Sequence, residues 1–147
     1  MKNRNNPVLA GTRANRGRGT PEDVRAVNEQ IDAQLKSVHI IGAVGSISAP
    51  GASETLDPDV SDAFEIALDG AITLVFSEPE SDFAIFQLVL NQDGVGGHVV
   101  TWPASVEWDN GTAPVLNTDA SNKSVLVFST IDKGVTWFGN LVGDEVA

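Results

Sequence analysis

Apolar residues recur along this chain with two different spacings, and the change from one to the other divides it. Val24, Val27, Ile31, Leu35 and Val38 are separated by 3, 4, 4 and 3 positions, which lays them along one stripe of a helix. Glu22, Asp23, Arg25, Glu29, Asp32 and Lys36 fall on its other faces. The start of this helix, predicted over residues 20–38, is specified chemically. Thr20 offers a capping hydroxyl, Pro21 has no amide hydrogen to lose at the first helical position, and Glu22 and Asp23 complement the helix dipole. A lone helix of this size is marginal in water, so the stripe requires a partner. Either it packs on the chain's own β body, or it meets its copies around a symmetry axis, where Ile31 and its branched neighbours suit a short coiled coil. The stripe is too short to fix the number of copies.

Beyond the helix the spacing drops to two. Residues 39–54 form a Gly/Ala/Ser-rich connector with a Pro50-Gly51 turn, expected to end in a strand or two, and a β domain is predicted over 55–147. Phe64, Ile66 and Leu68 alternate with Ala63, Glu65 and Ala67; Ile72, Leu74 and Phe76 alternate with Ala71, Thr73 and Val75. Asp69-Gly70 between them is the two-residue hairpin signal. The run FAIFQLVLNQ, residues 83–92, reads as a central strand buried on both faces. From His98 to Gly143 four or five short strands rich in Val, Thr, Phe and Trp are punctuated by Pro, Asn-Gly, Ser-Asn and Lys-Gly. About eight strands, with turns every ~8–12 residues, predict a mainly β fold of the antiparallel sandwich or jelly-roll kind.

Charge adds what hydropathy does not show. Residues 1–19 have neither period and carry Lys2, Arg4, Arg13, Arg16 and Arg18 without a single acid, whereas the remaining 128 residues hold 4 basic and 20 acidic side chains. A basic tip of +5 on a body of −16 reads either as a solvated tail or, the reading favoured here, as an arm that orders on a larger acidic partner, its arginines gripping carboxylates. Nucleic acid is a poor partner, because the arm has no stacking aromatics and the body repels phosphate. At 147 residues one core is expected. No apolar run approaches the ~18 residues of a membrane span. The basic N-terminus lacks the apolar stretch of a secretory signal, so the protein is expected to be made and first used inside a cell.

Candidate chemistry is sparse. Cysteine is absent, and His39 and His98 stand in connector or strand contexts without a nucleophile motif, so both are expected to be structural and no enzymatic activity is predicted. No Gly-rich loop opens a helix after a strand, and no cofactor is expected. Asp57, Asp59 and Asp62 could ligate calcium, but the loop lacks the calcium-loop spacing and reads better as a solvated turn leading into a strand. Trp102, Trp108 and Trp137 are candidates for surface or interface aromatics, against the plainer reading that they fill a core.

The order TWPASVEW, NGTAPVLNT and SVLVFSTIDKGVTWFGN resembles a module of tailed-bacteriophage virion proteins found in tail fibres, head fibres and capsid decorations. Trp102, Pro103, Trp108, Gly111, Thr112, Ala113, Pro114, Asp132, Gly134, Thr136 and Trp137 stand at its characteristic places, and the likeness runs more weakly back to about Asp62. The resemblance implies a structural protein of the virion, assembled in the host cytoplasm and trimeric. Its partners would be the major capsid protein or another virion protein, with a host glycan as the alternative ligand of a tail-fibre subunit. Membrane is not among its expected partners.

Overall fold

The computed structural model describes residues 21–37 and 42–145, with side chains left out for 32–37. The chain divides into two compact units, Met1–His39 and Ile40–Ala147. In the first, helix α1 spans Pro21–Ser37 with Glu22 and Asp23 in its first turn, as the capping pattern predicts. The predicted cap Thr20 and the last stripe residue Val38 lie outside the described residues.

The second unit is built of strands: β1 (Val44–Ser48), β2 (Ser53–Leu56), β3 (Ala63–Leu68), β4 (Ile72–Phe76), β5 (Ala84–Gln92), β6 (Val100–Thr101), β7 (Val106–Trp108), β8 (Lys123–Thr130) and β9 (Trp137–Gly143). Six of them form one sheet in the order β1-β3-β5-β8-β9-β7, and three form a second in the order β2-β4-β6. The first six strands therefore alternate between the sheets. Strands that return to the same sheet lie parallel, β1 to β3 to β5 in one and β2 to β4 to β6 in the other, which makes this half of the unit a short coil of three turns. Only β8 pairs antiparallel, with β5 on one side and β9 on the other, and β7 closes the sheet parallel to β9.

The mainly β class follows the sequence, but the antiparallel jelly-roll order expected from turn spacing is not formed. The hairpin expected at Asp69-Gly70 is not formed either, since β3 and β4 belong to different sheets. The tight hairpin turns of that kind need positive φ at one or both central residues, and neither Asp69 nor Gly70 adopts it. The corner instead hands the chain across the core. Phe64, Ile66 and Leu68 enter the core from one sheet, and Ile72 and Leu74 from the other.

Phe76 of β4 joins the sheets. Its ring lies 5.0 Å from Phe86, 4.9 Å from Phe128 and 5.5 Å from Trp137, all in edge-on contacts with residues of the larger sheet. The connector predicted over 39–54 contributes β1 to the larger sheet, with Ile47 packed against the core. The run predicted as buried on both faces is β5, and only alternate residues are covered. Ala84, Phe86, Leu88 and Leu90 are buried, while Ile85 and Gln87 are exposed, because the second sheet covers one face alone.

Candidate interaction surfaces

Of the surfaces expected from sequence, the basic arm with Lys2, Arg4, Arg13, Arg16 and Arg18 lies outside the described residues. On α1, Val24, Val27 and Ile31 are 51%, 54% and 46% exposed, far more than core residues would be. Leu35 is in the helix with its side chain outside the described set. Arg25 and Glu29, one turn apart, approach to 3.8 Å with both side chains largely exposed, where water screens the pair.

The three tryptophans separate. Trp137 is fully buried, so the surface role considered for it does not hold in the protomer. The segment before it explains how it gets there. Lys133 and Gly134 both adopt positive φ, at 60° and 81°, turning the chain back between β8 and β9. The buried Thr130 hydroxyl donates to Asp132 Oδ1 at 2.8 Å and accepts the Gly134 amide at 2.9 Å. Asp132 Oδ1 also accepts the Thr136 amide at 2.9 Å. That amide, followed by the Thr130 hydroxyl, holds the Asp132 carboxyl below its ordinary range. A side chain on Gly134 would meet Pro79 and the Trp137 indole at 3.0 and 3.1 Å, so the Asp-x-Gly turn is shaped by the ring that it delivers to the core.

Trp102 and Trp108 are partly buried and meet edge-on at 5.1 Å, each also touching Phe128. They sit at the rim of the core, between the sheets and the loop 109–122. That loop opens with Asn110 and Gly111, both at positive φ, and with the Gly111 amide bonded to the Trp108 carbonyl at 2.8 Å.

Carboxylates pin this loop. Asp144 accepts hydrogen bonds from the Asn117 amide, the Asn122 side chain and the Ser124 hydroxyl. Burial pushes its carboxyl up, but these donors outweigh that and leave it below its ordinary range. Asp93 accepts from the Gly96 and Val95 amides, both at 2.8 Å, and contacts His98 Nε2 at 3.0 Å. The two amides first, and His98 after them, hold Asp93 low; the other histidine, His39, lies outside the described residues. Asp57, Asp59 and Asp62 accept the backbone amides of Asp59, Glu80 and Gly42 respectively, ordinary turn and loop contacts. None of these anchoring networks carries a local sequence motif, so the sequence did not single out Asp93, Asn122 or Asp144.

Two shallow cavities flank Pro114. One, of about 290 Å³, has Trp108, Asp109, Asn110 and Asn140 in its walls; the other, of about 350 Å³, is more apolar and includes His98, Trp102 and Leu116. The first combines an indole with amides and a carboxylate, the groups that bind polyhydroxylated ligands. Among the described residues no group of His, Asp and Glu is arranged to hold a metal ion. No helix among them is long and apolar enough to cross a membrane. No protein-family model matches this chain, and no curated protein and no solved structure matches it either.

Proposed function

We propose that this protein is a structural part of a tailed-bacteriophage virion: a capsid decoration protein or head fibre, trimeric, anchored by residues 1–19 and projecting its β unit outward. The observation that carries the reading is the separation of charge, +5 in the first 19 residues and −16 in the rest. Such a chain is attracted to an acidic protein surface through one end and repelled from it by the other, which favours attachment by the tip. The major capsid protein or another virion protein supplies that surface. The exposed Val24, Val27 and Ile31 support assembly of α1 with its copies, and the phage-module resemblance favours three. The two sheets around one core are read as the layers of a compact sandwich, a shape suited to projection. No catalysis, cofactor, nucleic acid or membrane enters this role.

Counting copies of the protein per purified particle by quantitative mass spectrometry, against the major capsid protein, tests it. Closed symmetry ties copy number to location. A number comparable to the capsid subunits supports a decoration protein, and a small multiple of three moves it to a vertex or tail fibre. Absence from particles removes the proposal. Deleting residues 1–19 should leave the β unit folded and abolish attachment.

A second reading, a tail-fibre or tail-tip subunit that binds a host-surface glycan, is favoured by the cavity beside Trp108, Asp109, Asn110 and Asn140. Its test is whether the soluble protein binds host cells and blocks infection, and whether Asp109→Ala with Asn140→Ala lowers that binding.

A further inference from the structure

An asparagine side chain can react with its own backbone. The amide nitrogen of the next residue gives up its proton and bonds to Cγ, the Cγ–Nδ2 bond breaks, and ammonia leaves carrying a proton. Water then opens the resulting imide at either carbonyl. Three conditions select the asparagine that reacts. The next residue must leave its nitrogen uncrowded, the side chain must be able to swing toward it, and the backbone must be able to open locally.

Six asparagines among the described residues can be compared on these terms. Asn28, Asn91, Asn117, Asn122 and Asn140 precede Glu29, Gln92, Thr118, Lys123 and Leu141, whose side chains crowd the nitrogen, and Asn110 alone precedes a glycine. The fold holds the other five as well. Asn28 lies within α1, and Asn91 and Asn140 lie within β5 and β9. Asn117 Nδ2 donates to Glu145 Oε2 at 2.8 Å, and Asn122 Nδ2 donates to the Asn117 carbonyl at 3.0 Å. The Asp69-Gly70 and Asp93-Gly94 steps present carboxylates, weaker electrophiles than an amide, and Asp93 is further held by the Val95 and Gly96 amides.

Asn110 is exposed, and its side-chain hydrogen bond, from Nδ2 to Asp109 Oδ2, is 3.4 Å long. A Cβ on Gly111 would meet nothing within 4 Å, so the space around the attacking residue is open. Asn110 is the third residue of a turn from Trp108 to Gly111, with φ of 77° at Asn110 and 76° at Gly111. One restraint acts on the nitrogen, the 2.8 Å hydrogen bond from the Gly111 amide to the Trp108 carbonyl. It must break before the nitrogen can turn on Cγ, and it belongs to a surface turn that opens without unfolding the core.

We infer that Asn110 is a self-modification site, converted to aspartate and isoaspartate through the Gly111 amide, and that the conversion changes the charge of the cavity beside Trp108. Water at the side-chain carbonyl gives aspartate. Water at the main-chain carbonyl gives isoaspartate, in which the chain runs through Cγ and is one methylene longer. Either product sets a second carboxylate next to Asp109 in the wall of the cavity of about 290 Å³. Isoaspartate also lengthens the ring that the Trp108–Gly111 hydrogen bond closes. The cavity therefore gains negative charge as the protein ages, and turns further against anionic ligands.

The test follows the full wild-type chain, folded in mildly alkaline buffer, by peptide mapping with mass spectrometry. Asn110 should exchange NH2 for OH ahead of Asn28, Asn91, Asn117, Asn122 and Asn140, and should yield both aspartate and isoaspartate. The intact protein should become more acidic on ion exchange. Gly111→Ala should slow the conversion at least about tenfold, because a methyl on the attacking residue raises the barrier. The inference is overturned if one of the other five converts first or if Gly111→Ala reacts as fast as wild type. It is overturned too by aspartate as the sole product, which would mean direct attack by water. An Asn110 that stays intact in the folded chain while the urea-unfolded chain converts also overturns it, since the turn would then not open. None of these readouts involves particles or host cells, so the outcome is independent of the virion reading.

Discussion

Gly139 of β9 lies against the indole of Trp108: a Cβ at position 139 would stand 2.9 Å from Trp108 Cζ3 and 2.9 Å from Phe128 Cε1. The missing side chain lets Trp108 lie flush at the end of the core, where it meets Trp102 and Phe128. Position 139 has no unusual backbone angle, so glycine is required here for space alone.

Gly139→Ala should therefore destabilise the protein by about 1–3 kcal/mol, the ordinary cost of overpacking a filled core. Urea unfolding followed by tryptophan fluorescence measures it, with an altered native spectrum expected because Trp108 has to move. A variant with wild-type midpoint and spectrum would show that the rim yields freely.

Gly96 and Gly97 are adjacent, both at positive φ, and should respond very differently. At Gly97, φ 81°, a side chain meets nothing within 4 Å, so Gly97→Ala should cost only the left-handed backbone penalty of about 1–2 kcal/mol. At Gly96, φ 71°, it would sit 2.5 Å from the Thr118 carbonyl oxygen and 2.7 Å from the Ala120 nitrogen, both backbone atoms that cannot swing aside. Gly96→Ala should cost at least about 4 kcal/mol. Equal melting temperatures for the two variants would contradict the packing of residues 118–120 on this turn.

Asp144 should make stability fall in acid. Its carboxyl is held low in the folded chain by Ser124, Asn117 and Asn122 in spite of partial burial, so the ionised form is favoured by folding. That contribution is present above the unfolded carboxylate value of about 3.9 and disappears as pH drops through the lower folded value. Urea midpoints measured from pH 6 to pH 2 should show wild type more stable than Asp144→Asn at the upper end, with the gap closing toward the lower. A gap that stays constant over the whole range would assign the difference to hydrogen-bond geometry and not to charge.

The stripe on α1 has its own test. Ile31→Asp puts a charge at a position 46% exposed in the protomer, where it costs little if nothing covers the helix. If copies meet through Val24, Val27 and Ile31, light scattering should report a lower oligomer order and circular dichroism an unchanged β signal. An unfolded monomer would instead assign the stripe to packing within one chain.

Local features were legible in the sequence because they depend on neighbours in the chain. Pro21, Glu22 and Asp23 mark a helix start whatever surrounds them, and the helix begins at Pro21. The alternation of Phe64, Ile66 and Leu68, and of Ile72, Leu74 and Phe76, predicts strands with one covered face, and β3 and β4 are those strands. The same alternation, interrupted in FAIFQLVLNQ by Gln87 and Asn91, was the available sign that β5 is covered on one side only. The three tryptophans were not assignable from their neighbours. Burial of Trp137 depends on Phe76, 61 positions away in the chain, and the partial burial of Trp108 depends on a glycine in β9.

By itself the sequence determined one helix, a β body, a charged polarity and the absence of cysteine chemistry, all properties set by residue type and short-range spacing. Only the tertiary structure decided which strands lie side by side. A strand with one apolar face buries that face equally well in a hairpin or in a coil that crosses between sheets, because hydrophobic burial has no direction. The choice rested on contacts far apart in sequence, such as Phe76 meeting Phe86 and Phe128 across the core, and on a turn at Asp69-Gly70 that lacks the positive φ of a tight hairpin.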